Sequence, residues 1–476
     1  MSFRIERDSL GERSLQSNHY YGIQTQRAVE NFNISNTKSF DYPLLIESLA
    51  NIKRASAIAN RKIGALTNEK ASAISQACSE IANGDYNNQF PVDIFQGGGG
   101  TSLNMNMNEV IANRANEIIT GSKGYNQVHP NNDVNLGQST NDVIPSAIHI
   151  ASYFYIEKIL EELATLENVL IEKSIEFESV VKVSRTCLQD AVPITLGQEF
   201  SGYASFIKRN ISDMENVKTK CLSLTLGGTA AGTGLGTYPR FAEEAYEELS
   251  EITGLSFYQH ENLFDGFQNG DIYIKLSSVL KELAAFMSKM SSDFRLLSSG
   301  PRSGLSEINL PPVQPGSSIM PGKVNPVMPE MMMQASFQVY GNDHVINVAV
   351  DRGELDLNVW EPIIIKNLFE SFEIMTNAIR LFTDKCIQDI EANIEICDKN
   401  AHSSLALSTV IATLFNYDLA SEIAKEAHNQ NRTIKEIVLE KKLLSKEEAD
   451  LFLNPLLLSD VKNSSEILSK FKHKEQ

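Results

Sequence analysis

Apolar residues recur at three- and four-residue spacing over long stretches of this chain, broken by short segments rich in Gly, Pro and Asn. Residues 43–83 read as helices up to the breaker run Asn83-Gly84-Asp85. A polar, glycine-rich stretch runs from Gly97 to Asn108, and a second loop covers 121–141 around His129-Pro130-Asn131-Asn132. A helical pattern then extends from Pro145 to about Ser179 without another Gly or Pro. Pro193 is expected to open a further helix, running through Phe200 and Tyr203 toward Leu224. Residues 272–298, 328–350 and 363–392 complete the set of long helical patterns. All exceed the typical helix of about 11–12 residues.

Several of these patterns are apolar around much of the helix, as at Ile148, Ile150, Ala151, Phe154 and Tyr155, or at Met331, Met332, Met333, Ala335, Phe337 and Val339. A helix that is greasy on more than one face must be buried on more than one face. Two architectures answer that demand: a large monomeric helical core, or a bundle shared between subunits, and the second is favoured. The expected fold class is therefore all-α, built on a central bundle of long helices. Changes of pattern place domain boundaries near 141 and 395, giving an N-terminal domain (1–141), a central helical-bundle domain (142–395) and a small C-terminal helical domain (396–476). The end of the chain, from Pro455 to Gln476, is polar and lysine-rich.

Composition narrows the function. The 476 residues are 42% apolar and 21% charged, which suits a folded globular protein rather than a disordered one. Sixty acidic against forty-two basic side chains give a net charge of −18. That surplus argues against a nucleic-acid or anionic-membrane partner, yet leaves room for a small basic pocket. Five scattered cysteines with no C-x-x-C pair indicate neither a disulfide framework nor a zinc cluster. The eight histidines lack metal-binding spacing. The first residues lack an apolar signal core, and no apolar run spans a bilayer, so a reducing, cytoplasmic setting is expected.

Some motifs tempt and fail. Gly316 to Lys323 has five residues between its glycines, and Val324 stands where a P-loop needs Ser or Thr. Gly232-Thr233-Gly234-Leu235-Gly236 lacks the dinucleotide-binding spacing and reads as a loop.

Four other segments combine conformational freedom with small hydrogen-bonding side chains. They are Gly97–Asn104, containing Thr101; Gln138–Asp142, containing Ser139, Thr140 and Asn141; Ser184–Asp190, containing Thr186 and Cys187; and Gly316–Pro326, containing Ser317, Ser318, Lys323 and Asn325. Three of them are expected to precede long helices, whose N-termini offer free N–H groups and a positive dipole end. Ser, Thr and Asn at such places are commonly only N-caps. The fourth, a double serine framed by glycines and prolines with a lysine and an asparagine, is what a mobile anion-binding loop requires. Together they suit a small dicarboxylate.

The run GSSIMPGKVNP (316–326) is similar to the signature of the aspartase/fumarase superfamily, and the likeness extends from Tyr20-Tyr21-Gly22 to about Asn393. LQDAVPITLGQEF (188–200), LLSSGPRSGLSEINLP (296–311), VNPVMPE (324–330) and NVWEP (358–362) resemble the aspartate ammonia-lyase branch. Class II fumarases tend to carry MDATP near the first of these, a TQCE-like run after VNP, and a lysine near Glu361. The resemblance implies a three-domain fold and a homotetramer whose active sites are each built from three subunits. It implies loss of ammonia from L-aspartate to give fumarate, without a cofactor or metal. Carried over by position, Ser317 would be the general base. Thr101, Ser139, Thr140 and Ser318 would hold the carboxylate that takes up charge. Thr186, Lys323 and Asn325 would hold the other, and Asn141 would contact the amino group. The alternative is a class II fumarase or another amino-acid lyase of the superfamily.

Two departures from the superfamily pattern stand out. Cys187 occupies a position where relatives usually carry His or Gln, the histidine pairing with a glutamate like Glu330. Cys187 is either a small buried residue, or an altered substrate contact or oxidation-sensitive thiol. Leu136-Gly137 replaces the Lys-Cys, Lys-Ser or Met-Ser pair usual before Gln-Ser.

Overall fold

The computed structural model describes residues 2–460 together with 462, 464–466 and 469; most of the chain's lysine-rich end lies outside the described residues. It opens with a hairpin, β1 (Phe3–Asp8) and β2 (Gly11–Gln16). Helices α1 (Ile23–Asn31), α2 (Pro43–Lys62), α3 (Asn68–Ala82) and α4 (Thr101–Thr120) follow. Next come α5 (Thr140–Glu176), a second hairpin of β3 (Val181–Thr186) and β4 (Gln189–Thr195), and α6 (Leu196–Lys220). The remaining main helices are α7 (Phe241–Thr253), α8 (Leu263–Gln268), α9 (Asp271–Leu297), α10 (Val327–Asp351) and α11 (Glu361–Lys385). Short helices fill 394–458. Among the described residues the strands form only two-stranded pairs, so the fold is mainly α, as the hydrophobic pattern required.

Packing divides the chain into two compact units. One comprises Met1–Glu161, Ser212–Ala284 and Ser336–Thr376; the other comprises Glu162–Ile211, Ala285–Ala335 and Asn377–Gln476. In the first, α2 presents Leu45, Ile46, Leu49, Ala50 and Ile52, all buried, and Tyr155 stacks on Phe372 at 5.7 Å with Phe369 tilted beside it. In the second, Phe200, Tyr203 and Phe294 form an aromatic cluster with Phe177 and Phe382 at its edges. A separate apolar cluster including Ile411, Ile423, Ile434, Ile437 and Phe452 holds the C-terminal helices together.

One expectation fails. Pro193 opens no helix; it lies inside β4, paired with Val183, and the helix begins only at Leu196. A two-stranded ribbon has two free edges, where the missing N–H of a proline costs nothing. The segment carrying Thr186 and Cys187 therefore sits at a hairpin tip, not at a helix N-terminus.

Candidate functional site

The first segment is shaped by three consecutive left-handed glycines, Gly98, Gly99 and Gly100, with φ of 76°, 59° and 85°. Side chains rarely adopt this backbone. At Gly100 a Cβ would also press on Ile144 at 3.1 Å. The chain then enters α4 at Thr101, whose hydroxyl donates to the Gly98 carbonyl at 2.6 Å.

The second segment is a reciprocal helix cap. Ser139 Oγ accepts the Asn141 N–H at 3.2 Å, and Asp142 Oδ1 accepts the Ser139 N–H at 2.9 Å. This cap starts α5 five residues ahead of Pro145. Asp142 Oδ2 also accepts the N–H groups of Gly227 (3.1 Å) and Thr229 (3.0 Å), while Asn141 Nδ2 donates to the Ala230 carbonyl at 2.8 Å. Burial pushes the Asp142 carboxyl up to about 7, against the pull of those N–H donors and of Lys53. The glycine-rich 227–230 stretch thus belongs beside this segment. Sequence reasoning missed it, because nothing in its composition names its partner. Asn104, at the start of α4, donates to Thr140 Oγ1 at 3.2 Å and so joins the first two segments within one unit.

The third and fourth segments belong to the other unit. Thr186 pairs with Gln189 across a two-residue turn, Cys187 (φ 54°) and Leu188 (φ 60°). Positive φ at both turn positions is the type I′ hairpin, normally made from Asn and Gly. Cys187 is exposed in the single chain, not buried in its core. Arg185, one residue before Thr186, is anchored on the buried Glu307.

The fourth segment has no regular structure. Ser317 Oγ accepts the N–H groups of Ile319 (3.3 Å) and Met320 (3.0 Å). Lys323 Nζ donates to Asn325 Oδ1 at 2.7 Å, and Asn325 Nδ2 donates to the Gly316 carbonyl at 2.7 Å. Gly316 is needed where the loop's arms cross: a Cβ there would collide with the Lys323 carbonyl and lie 2.7 Å from Val324 Cα. Lys323, Asn325 and Met320 line a cavity of about 620 Å³ whose wall includes Pro301, Ile308 and Cys386. Ser317, Ser318 and Lys323 are half-buried or exposed, open to a ligand.

The model of the lyase family matches residues 11–341, and that of the fumarase C C-terminus matches residues 407–459. The chain belongs to the aspartase/fumarase superfamily. It is a lyase. The aspartate ammonia-lyase of Helicobacter pylori strain J99 is 46% identical over 453 residues, which cover 95% of this chain and 97% of that protein. That of Bacillus subtilis strain 168 is 44% identical, covering 95% of each. Among solved structures, a fumarate lyase:delta crystallin from Brucella melitensis bound to cobalt is 44% identical, with a TM-score of 0.94 over 96% of this chain and 100% of that one. The class II fumarase of Schistosoma mansoni is 37% identical, with a TM-score of 0.93 over 96% and 99%.

Two positions acquire a physical context within the superfamily. Gly137 has φ 74°, and a Cβ there would touch the Phe241 ring at 3.4 Å; the neighbouring Leu136 offers its carbonyl to Asn60 Nδ2 at 2.9 Å. Glu330 pairs with Arg295 at 3.7 Å. No described helix is long and apolar enough to cross a membrane.

Proposed function

We propose that this lyase converts L-aspartate to fumarate and ammonia, with Ser317 as the base. The observation that carries the proposal is the pair of backbone N–H groups aimed at Ser317 Oγ. A serine hydroxyl is a poor base in water; N–H donors stabilise its alkoxide where water is excluded. The alkoxide takes the proton from C3 of aspartate. The electron pair left on C3 moves into the adjacent carboxylate, giving an aci-carboxylate. That pair then returns to form the C2–C3 double bond, the C2–N bond breaks, and ammonia leaves with the bonding electrons. Thr101, Ser139, Thr140 and Ser318 hold the carboxylate that carries the added charge. Thr186, Lys323 and Asn325 hold the other, and Asn141 meets the amino group.

The names of the relatives support aspartate as substrate. Assembly into a homotetramer with shared sites is part of the proposal. It is supported by α10, which leaves Phe337 and Val348 exposed while burying Met332, Val339 and Ile346. The three-domain division is proposed on the self-contained C-terminal apolar cluster and its separate family model.

Fumarase is the second reading, favoured by the fold match to the S. mansoni enzyme. Ultraviolet absorbance of fumarate separates the two. Purified protein is given L-aspartate and L-malate in separate cuvettes. A rise with aspartate alone is expected; a rise with malate alone overturns the assignment.

A further inference from the structure

Lys53 is a buried cation that the mechanism above does not use. It lies in the middle of α2 and is 0% exposed. Burying an ammonium costs several kcal/mol unless its surroundings compensate. Its one hydrogen-bond acceptor among the described residues is Asn135 Oδ1, at 2.9 Å. That oxygen also accepts Asn104 Nδ2 at 3.3 Å and Asn108 Nδ2 at 3.1 Å. Three donors thus converge on one carboxamide oxygen. Asn135 in turn donates from Nδ2 to the Gln138 carbonyl at 3.0 Å, immediately before the Ser139 cap. Asn104 Nδ2 completes the line by donating to Thr140 Oγ1 at 3.2 Å.

The line runs from the buried ammonium to a hydroxyl already placed in the carboxylate-holding set. Because Thr140 Oγ1 accepts from Asn104, its own hydrogen is free to point at a ligand. The other ionisable groups acting on Lys53 are Asp142, at the start of α5, and Cys78, on α3. Burial pulls the ammonium down to about 7, with Asp142 opposing, and pushes the Cys78 thiol up to about 12. Asp142 is committed to three backbone N–H groups, and among the described residues no carboxylate is hydrogen-bonded to the lysine.

We propose that Lys53 is a positioning residue for the reaction. Through Asn135 and Asn104 it fixes Thr140 as a donor, and it sets positive potential behind the carboxylate that gains a second charge when the C3 proton leaves. The inference rests on the function proposed above. A cation placed this way acts most on the state with the most negative charge. It therefore distinguishes a dianionic aci-carboxylate from an ordinary carboxylate.

The test compares two inhibitors in the parent enzyme and in Lys53→Gln, which keeps a donor toward Asn135 and removes the charge. Succinate represents the ground-state dicarboxylate. 3-Nitropropionate, ionised to its nitronate, represents the aci-carboxylate. Lys53→Gln is expected to bind succinate within about twofold of the parent and to lose about 10-fold or more in nitronate affinity, with a matching fall in kcat and little change in KM. Equal losses for both inhibitors, or no loss for either, overturn the proposal. Asn104→Ala, which leaves Lys53 in place and cuts its link to Thr140, repeats the test if Lys53→Gln does not fold. An unchanged nitronate affinity in that variant also overturns it. Turnover of aspartate by the parent is measured alongside. Its absence overturns the function reading and this proposal with it; its presence with no selective nitronate loss overturns this proposal alone.

Discussion

Arg185 grips Glu307 through two parallel hydrogen bonds, 3.0 Å from Nη1 to Oε2 and 2.7 Å from Nη2 to Oε1. Glu307 is wholly buried and also takes Lys182 at 3.1 Å, which reaches on to Glu199 at 2.6 Å. The network ties the base of the β3–β4 hairpin to the segment that precedes the serine loop. One of the four polar segments, Ser184–Asp190, is thereby attached to a buried carboxylate.

Glu307→Gln is predicted to destabilise the fold by about 3 kcal/mol, because it leaves the half-buried Arg185 without its counter-charge and the buried Lys182 with Glu199 alone. The pH dependence has a defined sign. Burial raises the Glu307 carboxyl, but the Arg185 hydrogen bonds and the Arg185 and Lys182 charges prevail and hold it below its ordinary 4.5. A depressed carboxyl contributes stability that is fully present above the unfolded value and is lost as pH falls through the folded one. Denaturation midpoints measured from neutral pH to below 4.5 should fall more steeply for the parent than for Glu307→Gln. Parallel curves would refute this account.

Leu188→Gly is predicted to raise stability by about 1 kcal/mol. Leu188 is exposed and sits at φ 60°, so glycine removes backbone strain and little packing. A shift of the equilibrium denaturation midpoint to lower denaturant would contradict it.

The same turn shows where the sequence stopped being readable. The long helices were legible because their apolar spacing is local and sustained. The hairpin was not: Cys187-Leu188 carries none of the Asn-Gly chemistry that announces a type I′ turn, and Pro193 signals a helix start as readily as an edge strand. The site residues were legible as polar clusters and through the resemblance they carry. Their support was not, since Lys53 with Asn135, and Arg185 with Glu307, are joined only by tertiary folding across 82 and 122 residues.

Gly316→Ala is predicted to fold and to lose turnover about 100-fold or more. Its Cβ would meet the Lys323 carbonyl and Val324 Cα, forcing apart the two arms of the loop that hold Ser317 and Lys323 near one another. Displacements of about 1 Å at such sites cost roughly that much. Unchanged kcat together with an unchanged melting curve would show that the crossing is dispensable.

Ser317→Ala separates binding from chemistry. Among the described residues the hydroxyl accepts only from the Ile319 and Met320 N–H groups of its own turn, so its loss should leave the fold and assembly intact. Removing a positioned base costs about 100- to 10,000-fold in rate. Lys323 and Asn325 keep their own hydrogen bonds in the variant and should keep holding a dicarboxylate. The expected pattern is therefore a collapse of kcat with succinate inhibition constants within about twofold of the parent. Retained turnover would remove Ser317 as the base. Lost succinate binding would instead assign the residue to the carboxylate-holding set, leaving the proton to another group.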